Sequence, residues 1–371
     1  MKIKSVACKM QSLVFLWLIT GSWVSAQENN VFKPGYIKET LLKVADWQFR
    51  HSNGKPENTW TNAAFYTGVF AAYEVTHAAS LLDSLHAIGE RNRWLPGKRY
   101  DHADDYAISQ TYLDLYRIYK APVMIRATAD SLAKMESIPG NEIKKHGITW
   151  WWCDALFMAP PTLAKLAKIR HDNHYLVLCD TLFRQTYRLL FNPEEHLFAR
   201  DASYLVDANG NGKKEANGKK IFWSRGNGWV MGGLVRLLQE MPKNYAGRNF
   251  YLSLFREMAD RLVALQQTDG LWRTSLLDPE AFPGGEGSGS GFDCYALAWG
   301  INQKILNKKT FLPVVQKAWE GLNTLVHEDG KVGWVQPIGG DPRRNFNAGS
   351  WESYGAGAFL LAGSEISKLK R

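Results

Sequence analysis

One aspartate stands where an acidic side chain is expensive. Asp154 follows three tryptophans in "HGITWWWCDALFMAPP" (residues 146–161) and precedes an apolar run that predicts a helix. Burying an ionised carboxylate without a partner is strongly unfavourable. Two explanations are open. The side chain caps the helix by accepting backbone N–H bonds, or poorly solvated surroundings let it hold a proton and act as acid and base.

A second acidic pair stands at the start of the preceding helical run. The stretch "RYDHADDY" contains Asp104 and Asp105, and either could face Asp154 across a shared mouth. Two carboxyls in different environments are the minimum for acid/base work on a glycosidic compound. The same "ADD" is also an ordinary helix start, so both interpretations stay open. Asp101 and His102 are less well placed for this chemistry.

A basic residue between aromatics supplies the third chemical signal. Arg225 lies in "FWSRGNGW", between Trp223 and Trp229, and the two glycines allow close backbone approach. A planar guanidinium there could bind a carboxylate through two hydrogen bonds. Alternatively, the arginine has a structural role, stacked on a tryptophan or paired with an acidic loop residue.

The elements that must position these residues are helices. Six runs of small, apolar residues recur along the chain: "WTNAAFYTGVFAAYE", "DDYAISQTYLDLY", "DALFMAPPTLAKLA", "GWVMGGLVRLLQ", "GFDCYALAWGINQKI" and "YGAGAFLLAGSEI". Amphipathic runs such as "YIKETLLKVADWQFR" alternate with them. Small apolar helices suit an inner ring and amphipathic ones an outer ring. The pattern predicts an all-α fold, an (α/α)6 barrel of six helical hairpins, with an open helical solenoid as the alternative.

In such a toroid the loops that enter the inner helices share one mouth. They hold an excess of Trp, Gly, Ser and acidic residues, as in "TWWWCD" and "FNAGSWESYG". Trp and Tyr stack on the apolar faces of sugar rings, while Asp, Arg and Asn bond hydroxyls. A concave, aromatic-lined site with a few polar groups is typical of ligand binding. We expect about half of the fifteen tryptophans to fill the core instead.

The N-terminus predicts export. A basic head precedes the apolar run "SLVFLWLITGSWV", and small residues follow at Ser25 and Ala26. This pattern indicates a secretory signal peptide over residues 1–26, with a retained anchor as the alternative. We therefore expect a periplasmic or extracellular protein, with a single catalytic domain over residues 27–371 and no membrane association after cleavage.

Composition excludes several classes of protein. The formal charge of +9 is a mild excess that suits an anionic ligand. No block of Lys and Arg interleaved with aromatics appears, which argues against nucleic acid as a partner. An odd number of mature cysteines (Cys153, Cys179 and Cys294) argues against a disulfide framework, and no Cys/His cluster suggests a metal site.

Five blocks together carry a family resemblance. They are "WWCDALFMAPP", "FWSRGNGWVMGGLVRLLQ", "DGLWRTSLLDP", "GSGSGFDCYALAWGI" and "YGAGAFLLAGSE", in order across most of the mature chain. The chain resembles the unsaturated rhamnogalacturonyl hydrolases of glycoside hydrolase family 105, relatives of the unsaturated glucuronyl hydrolases. The tryptophan–Arg–Gly–Asn–Gly–Trp block is the most specific of the five.

The resemblance implies an (α/α)6 barrel and a distinctive reaction. Such enzymes remove a 4,5-unsaturated uronic acid from the non-reducing end of lyase-generated oligosaccharides by hydrating the C4=C5 double bond, without metal or cofactor. It implies Asp154 as the general acid/base and Asp104 as the second aspartate, with Asp105 one register away. It implies a set of residues around the substrate: Trp152, Trp223, Arg225, Trp229 and, near the last inner helix, Ser350 and Ser353.

One departure concerns the loop after the third hairpin, where some members have a histidine. Here "HLFARDASY" offers Arg200 or Asp201, with His196 close by, so contacts beyond the first sugar are left open. Two other functions also stay open at this stage. One is a lyase or ordinary glycosidase on the same barrel, and the other is a non-catalytic glycan-binding protein. The source polysaccharide and the oligomeric state are undetermined by the sequence.

Overall fold

The fold is that of a computed structural model, which describes residues 31–137 and 146–369. The predicted signal peptide, residues 1–26, lies outside the described residues. Among the described helices, none is both long and apolar enough to cross a bilayer.

Helices dominate the described part of the chain, and they run in hairpins. In chain order they are α1 (Pro34–Arg50), α2 (Trp60–Thr76), α3 (Ala79–Arg91), α4 (Ser109–Tyr119), α5 (Val123–Ser137), α6 (Ala155–Met158), α7 (Pro160–Arg170), α8 (His174–Leu190), α9 (Ser224–Glu240), α10 (Arg248–Leu265), α11 (Gly287–Asn302), α12 (Lys308–Thr324) and α13 (Ser353–Ile366). A small antiparallel ribbon follows α8, with β1 (Phe191–Asn192) paired to β2 (Leu197–Phe198). Short 3-10 turns cover Ala103–Tyr106, Ala202–Tyr204 and Pro279–Ala281.

Burial separates the helices into two rings. The inner helices are α2, α4, α6 with α7, α9, α11 and α13, and almost every residue of α9, α11 and α13 is buried. The outer helices bury one face only; in α12 this face is Phe311, Val315, Ala318, Trp319 and Leu322. These positions recur at three- and four-residue steps, as expected for a helix that covers a core.

The third inner helix is divided at a pair of prolines. Helix α6 ends at Met158 and α7 begins at Pro160. A proline lacks the backbone N–H that would continue the helix, and it is tolerated at a first helical turn. The short α6 therefore keeps its own direction directly after Asp154.

The ring closes where the last inner helix meets the first. Helix α13 packs on α2, and each of the other inner helices contacts its neighbours in order. The contact is close because both helices present glycine: a Cβ on Gly357 would lie 2.4 Å from the carbonyl oxygen of Ala64, and one on Gly68 would lie 2.5 Å from that of Gly357. The predicted (α/α)6 barrel is confirmed, and the open solenoid is wrong.

The two ends of the barrel differ in chemistry. The C-terminal halves of the inner helices surround a cavity of about 700 Å³. Its floor is a buried ion-pair network in which Glu240 accepts from Arg117 and Lys165, and Lys165 also pairs with Asp114. Basic side chains near helix C-termini offset the partial negative charge of the helix ends. The predicted site residues lie at the opposite end, where the chain enters the inner helices.

Candidate active site

Asp104 and Asp154 stand at the entrances of neighbouring inner helices. Asp104 lies in the 3-10 turn Ala103–Tyr106 before α4, and Asp154 directly precedes α6. The Asp154 side chain makes no capping hydrogen bond with α6, since residue 154 already has helical backbone angles, φ −59° and ψ −29°. The helix-capping explanation for Asp154 is therefore wrong, and its carboxyl is available for other work.

The two carboxyls interact electrostatically. Burial, and next the charge of Asp154, raise the pKa of Asp104 from 3.8 to about 7, although Arg99 and Arg200 act in the opposite direction. Both side chains retain some contact with the mouth, 19% exposed for Asp104 and 12% for Asp154. Two carboxyls that share a poorly solvated site cannot both ionise easily. Asp104 therefore holds a proton up to near neutral pH, as acid/base chemistry requires.

The structure distinguishes Asp104 from its neighbour in the sequence. Asp105 accepts hydrogen bonds from the Arg99 guanidinium at 2.5 Å and from the Arg99 backbone N–H at 2.7 Å. Its carboxyl also packs against Gly97, where a Cβ would lie 2.2 Å from Cγ of Asp105. Asp105 is thus a structural residue that ties down the 97–105 loop, and the residue that interacts with Asp154 is Asp104.

His102 supports the same turn. Its Nδ1 accepts from the backbone N–H of Asp104 at 3.3 Å, and its ring packs on Trp152 with ring centroids 4.7 Å apart. Burial, and next the charge of Arg99, lower the pKa of His102 to about 4, so its imidazole is neutral at pH 7. Among the described residues, no group of three or more His, Cys, Asp or Glu side chains is placed to hold a metal ion.

The three tryptophans predicted around the sugar are all buried. Trp152 packs between His102 and Trp151, while Trp223 donates from Nε1 to Gln336 at 3.2 Å. Trp229 lies deep in the barrel against two phenylalanines, Phe157 and Phe292. Their neighbour Trp151 is only half-buried and is therefore the more accessible ring.

Arg225 has a structural role, the second of the two roles that its sequence left open. It is 1% exposed, and its two terminal nitrogens donate to the carbonyl oxygens of Gln336 and Pro337. Its guanidinium also lies over the rings of Trp223 and Tyr354, 4.4 and 4.8 Å from their centroids. The predicted two-bond contact with a substrate carboxylate is not available in this arrangement, because both terminal nitrogens already bind backbone.

Ser350 and Ser353 also have partners within the protein. The hydroxyl of Ser350 accepts from the backbone N–H of Asn347 at 3.1 Å in the turn before α13. Ser353 is buried at the start of α13 and accepts from the side-chain amide of Asn53 at 3.1 Å. The structure does not bring either serine into contact with Asp104 or Asp154.

Arg200 is the cation that the structure brings to the pair. Its Nε lies 3.6 Å from Oδ2 of Asp154, and its Nη1 donates to Asp201 at 2.6 Å. In the sequence, Arg200 stands out only as a departure from a family pattern. No local signal reveals its role, because the backbone bridge between Trp152 and Asp201 that positions it joins two distant segments. By contrast, His196 is partly exposed and faces Glu257.

A helical barrel whose mouth carries two interacting carboxyls has the acid/base groups that glycosidases use. The model of Glycosyl Hydrolase Family 88 matches residues 37–370, and the chain belongs to that family. This match does not test the more specific assignment to family 105 that the sequence motifs suggest.

Two kinds of relative accompany the family match. The chain is 43% identical over 344 residues to an unsaturated 3S-rhamnoglycuronyl hydrolase of Formosa agariphila, covering 90% of this chain and 91% of that protein. A solved family 88 glycosyl hydrolase from Bacteroides vulgatus is 30% identical, with a TM-score of 0.83 over 91% of this chain and all of that one. A solved chain described as a polysaccharide lyase is 32% identical, with a TM-score of 0.81 over 90% and 96% of the two chains.

Proposed function

We propose that the protein hydrolyses oligosaccharides that end in a 4,5-unsaturated uronic acid, releasing that sugar from the non-reducing end. The observation that carries the proposal is the placement of Asp104, whose pKa is raised to about 7, beside Asp154 and close to buried tryptophans. An enol ether needs a proton donor rather than a nucleophile at the anomeric carbon. A carboxyl that is still protonated at neutral pH meets that need.

The reaction proceeds by hydration. A carboxyl of the pair delivers its proton to C4 of the double bond, and the cationic centre that develops at C5 takes up water. The carboxylate left behind accepts a proton from that water, which restores the pair. The product is a hemiketal at C5, and its ring opening converts the anomeric centre to a hemiacetal that releases the remaining sugar chain.

Asp154 is the residue we propose to transfer the proton, and Asp104 the partner that keeps a proton in the pair. Burial and the charge of Asp154 raise the pKa of Asp104 to about 7, so a proton is kept beside Asp154 before the substrate binds. The family 105 resemblance of the block around Asp154 supports this division. The same resemblance supports our proposal that the chain is a glycoside hydrolase of family 105.

The substrate class is an unsaturated uronic acid linked to rhamnose. The rhamnoglycuronyl relative supports a glucuronyl residue, whereas the five sequence blocks favour a rhamnogalacturonan-type fragment. A panel of unsaturated oligosaccharides from lyase digests of both kinds of polysaccharide separates the two. The preferred substrate is the one with the highest kcat/KM.

The direct test is Asp154→Asn, assayed by the loss of ultraviolet absorbance as the conjugated double bond is hydrated. We expect kcat/KM to fall about 10³-fold, because a positioned general acid contributes 10²- to 10⁴-fold. Asp207→Asn, in an exposed turn, is the matched control and should retain activity. Full activity of the Asp154→Asn enzyme would exclude the assignment.

A lyase is the second candidate, favoured by the similarity to a chain described as a polysaccharide lyase. A lyase creates the ultraviolet chromophore from an intact polysaccharide, whereas the hydrolase consumes it. The direction of the absorbance change with polysaccharide and with lyase-treated oligosaccharide therefore decides between the two. A glycan-binding protein without catalytic activity would change absorbance in neither case.

We also propose that the protein is exported, on the basic head, apolar run and small residues of segment 1–26. Cell fractionation and the N-terminal sequence of the mature protein test this proposal. A mature chain that begins near Gln27 supports it, and a chain that keeps the apolar run contradicts it.

A further inference from the structure

Arg200 is held firmly beside the catalytic pair. The backbone N–H of Cys153 donates to the carbonyl oxygen of Arg200 at 2.9 Å, so the segment that carries Asp154 is tied to position 200. The carboxylate of Asp201 accepts from Arg200 Nη1 at 2.6 Å and from the backbone N–H of Ser203 at 2.8 Å. A guanidinium anchored at both its backbone and one nitrogen is preorganised, so it loses little entropy on binding a ligand.

The arginine still has unused hydrogen-bonding capacity. Nη1 donates to Asp201, whereas Nη2 makes no hydrogen bond with the described residues; Nε is buried and lies 3.6 Å from Asp154, beyond hydrogen-bond length. A guanidinium carries five N–H donors in a planar fork that matches a carboxylate. The side chain is 24% exposed in the mouth, and the backbone at Gly340 packs against it, where a Cβ would lie 3.2 Å from the guanidinium carbon.

Other arginines near the mouth are already occupied. Arg225 spends both terminal nitrogens on backbone carbonyl oxygens and is almost completely buried. Arg99 forms its ion pair with Asp105, through Nε and Nη2. An anionic sugar that approaches Asp104 and Asp154 meets like charge, which costs binding energy unless a cation faces it. Arg200 is the cation that lies beside Asp154, with its Nε 3.6 Å from Oδ2.

We propose that Arg200 binds the carboxylate of the terminal uronic acid and thereby makes the enzyme select acidic over neutral sugars. This inference rests on the proposed function and assigns to Arg200 the role that the sequence pattern placed on Arg225. Binding the sugar carboxylate beside Asp154 also holds the C4=C5 bond, which is conjugated to that carboxylate, next to the proton donor.

The test compares one unsaturated disaccharide with its C6 methyl ester, for which the carboxylate charge is absent. In the unmodified enzyme we expect kcat/KM for the acid to exceed that for the ester about 30- to 100-fold, the range of a charge-assisted hydrogen bond in a partly buried site. In Arg200→Gln this preference should fall to less than about 3-fold, with most of the loss in KM for the acid. Arg200→Lys, which keeps the charge but not the fork, should retain part of the preference.

Arg99→Gln is the matched control, since it removes the same charge from the same rim but from an arginine that faces Asp105. It should leave the acid-to-ester ratio unchanged, whatever its effect on the absolute rates. If Arg200→Gln lowers both substrates by the same factor, the arginine only supports the fold of the site and the inference is overturned. If the unmodified enzyme hydrates neither substrate, the proposed function fails instead, so the two failures are distinguishable.

Discussion

Replacing Asp104 by asparagine should inactivate the enzyme and yet stabilise the fold at alkaline pH. The pKa of Asp104 rises from 3.8 to about 7 on folding, because the carboxyl is buried and faces Asp154. The native state therefore binds this proton more tightly than the unfolded chain does. The free energy of unfolding therefore falls as the pH rises from 3.8, the ordinary pKa, toward 7. Above the folded-state pKa of about 7 it falls no further.

The magnitude follows from the two pKa values. At about 1.4 kcal/mol per pH unit, the raised pKa of Asp104 costs roughly 2 kcal/mol of stability at pH 5, where the native carboxyl is still protonated, and roughly 4 kcal/mol at pH 8, where it is ionised. Asparagine keeps the shape and removes the charge, so Asp104→Asn should recover these amounts. With an unfolding entropy of about 2.1 cal/mol/K per residue over roughly 340 residues, the melting temperature should rise about 2–3 °C at pH 5 and about 6 °C at pH 8.

The assay is thermal unfolding by calorimetry at the two pH values, beside the ultraviolet activity assay. Asp105→Asn is the matched control from the adjacent position, because it removes a carboxylate that is paired with Arg99. That variant should melt below the unmodified protein at both pH values. An Asp104→Asn protein that melts no higher at pH 8, or whose gain does not depend on pH, would refute the raised pKa of Asp104.

Three further predictions concern the scaffold. Arg225→Met removes the guanidinium hydrogen bonds to the carbonyl oxygens of Gln336, which keeps the Tyr354 hydroxyl as a donor, and of part-buried Pro337, so it should lower the free energy of unfolding by about 1–3 kcal/mol in urea titrations. Gly357→Ala forces a Cβ to 2.4 Å from a backbone oxygen and should cost at least about 2 kcal/mol, whereas Gly35→Ala, with nothing within 4 Å, should be neutral or stabilising; equal effects would contradict the close packing. The pKa of Glu240 is well below 4.5, since Lys165 and Arg117 outweigh the effect of burial. Glu240→Gln should therefore destabilise the fold most at neutral pH, and the difference should shrink as pH falls below 4.5; a gap independent of pH would count against the ion-pair network.

The helical architecture was predictable because its signal is local. Small apolar residues on all sides of α11 and α13 leave no polar face for solvent, and the one-faced pattern of α12 requires a covered side and an exposed side. The residue pattern of each helix therefore predicts whether it lies in the inner or the outer ring. Closure of the ring was inferred from the number of hairpins, and the glycine contacts between α2 and α13 account for it physically.

The carboxyl pair was also predictable, but only as a set of alternatives. An aspartate after three tryptophans and an "ADD" turn at the next inner helix mark an acidic mouth. Arg99 decides which of the two aspartates interacts with Asp154. Its guanidinium binds Asp105, and Asp104 is the one that interacts with Asp154. That choice involves only six residues of chain, yet a loop conformation decides it.

The division between Arg225 and Arg200 came from tertiary structure alone. In the sequence, Arg225 has the stronger motif, but its nitrogens are taken by carbonyl oxygens of a loop more than one hundred residues later. Arg200 has no motif and gains its place through a bridge between distant segments. Residue type and spacing determined which chemistry the chain can do; long-range contacts decided which side chains are free to do it, because a donor already paired inside the protein has nothing left for a substrate.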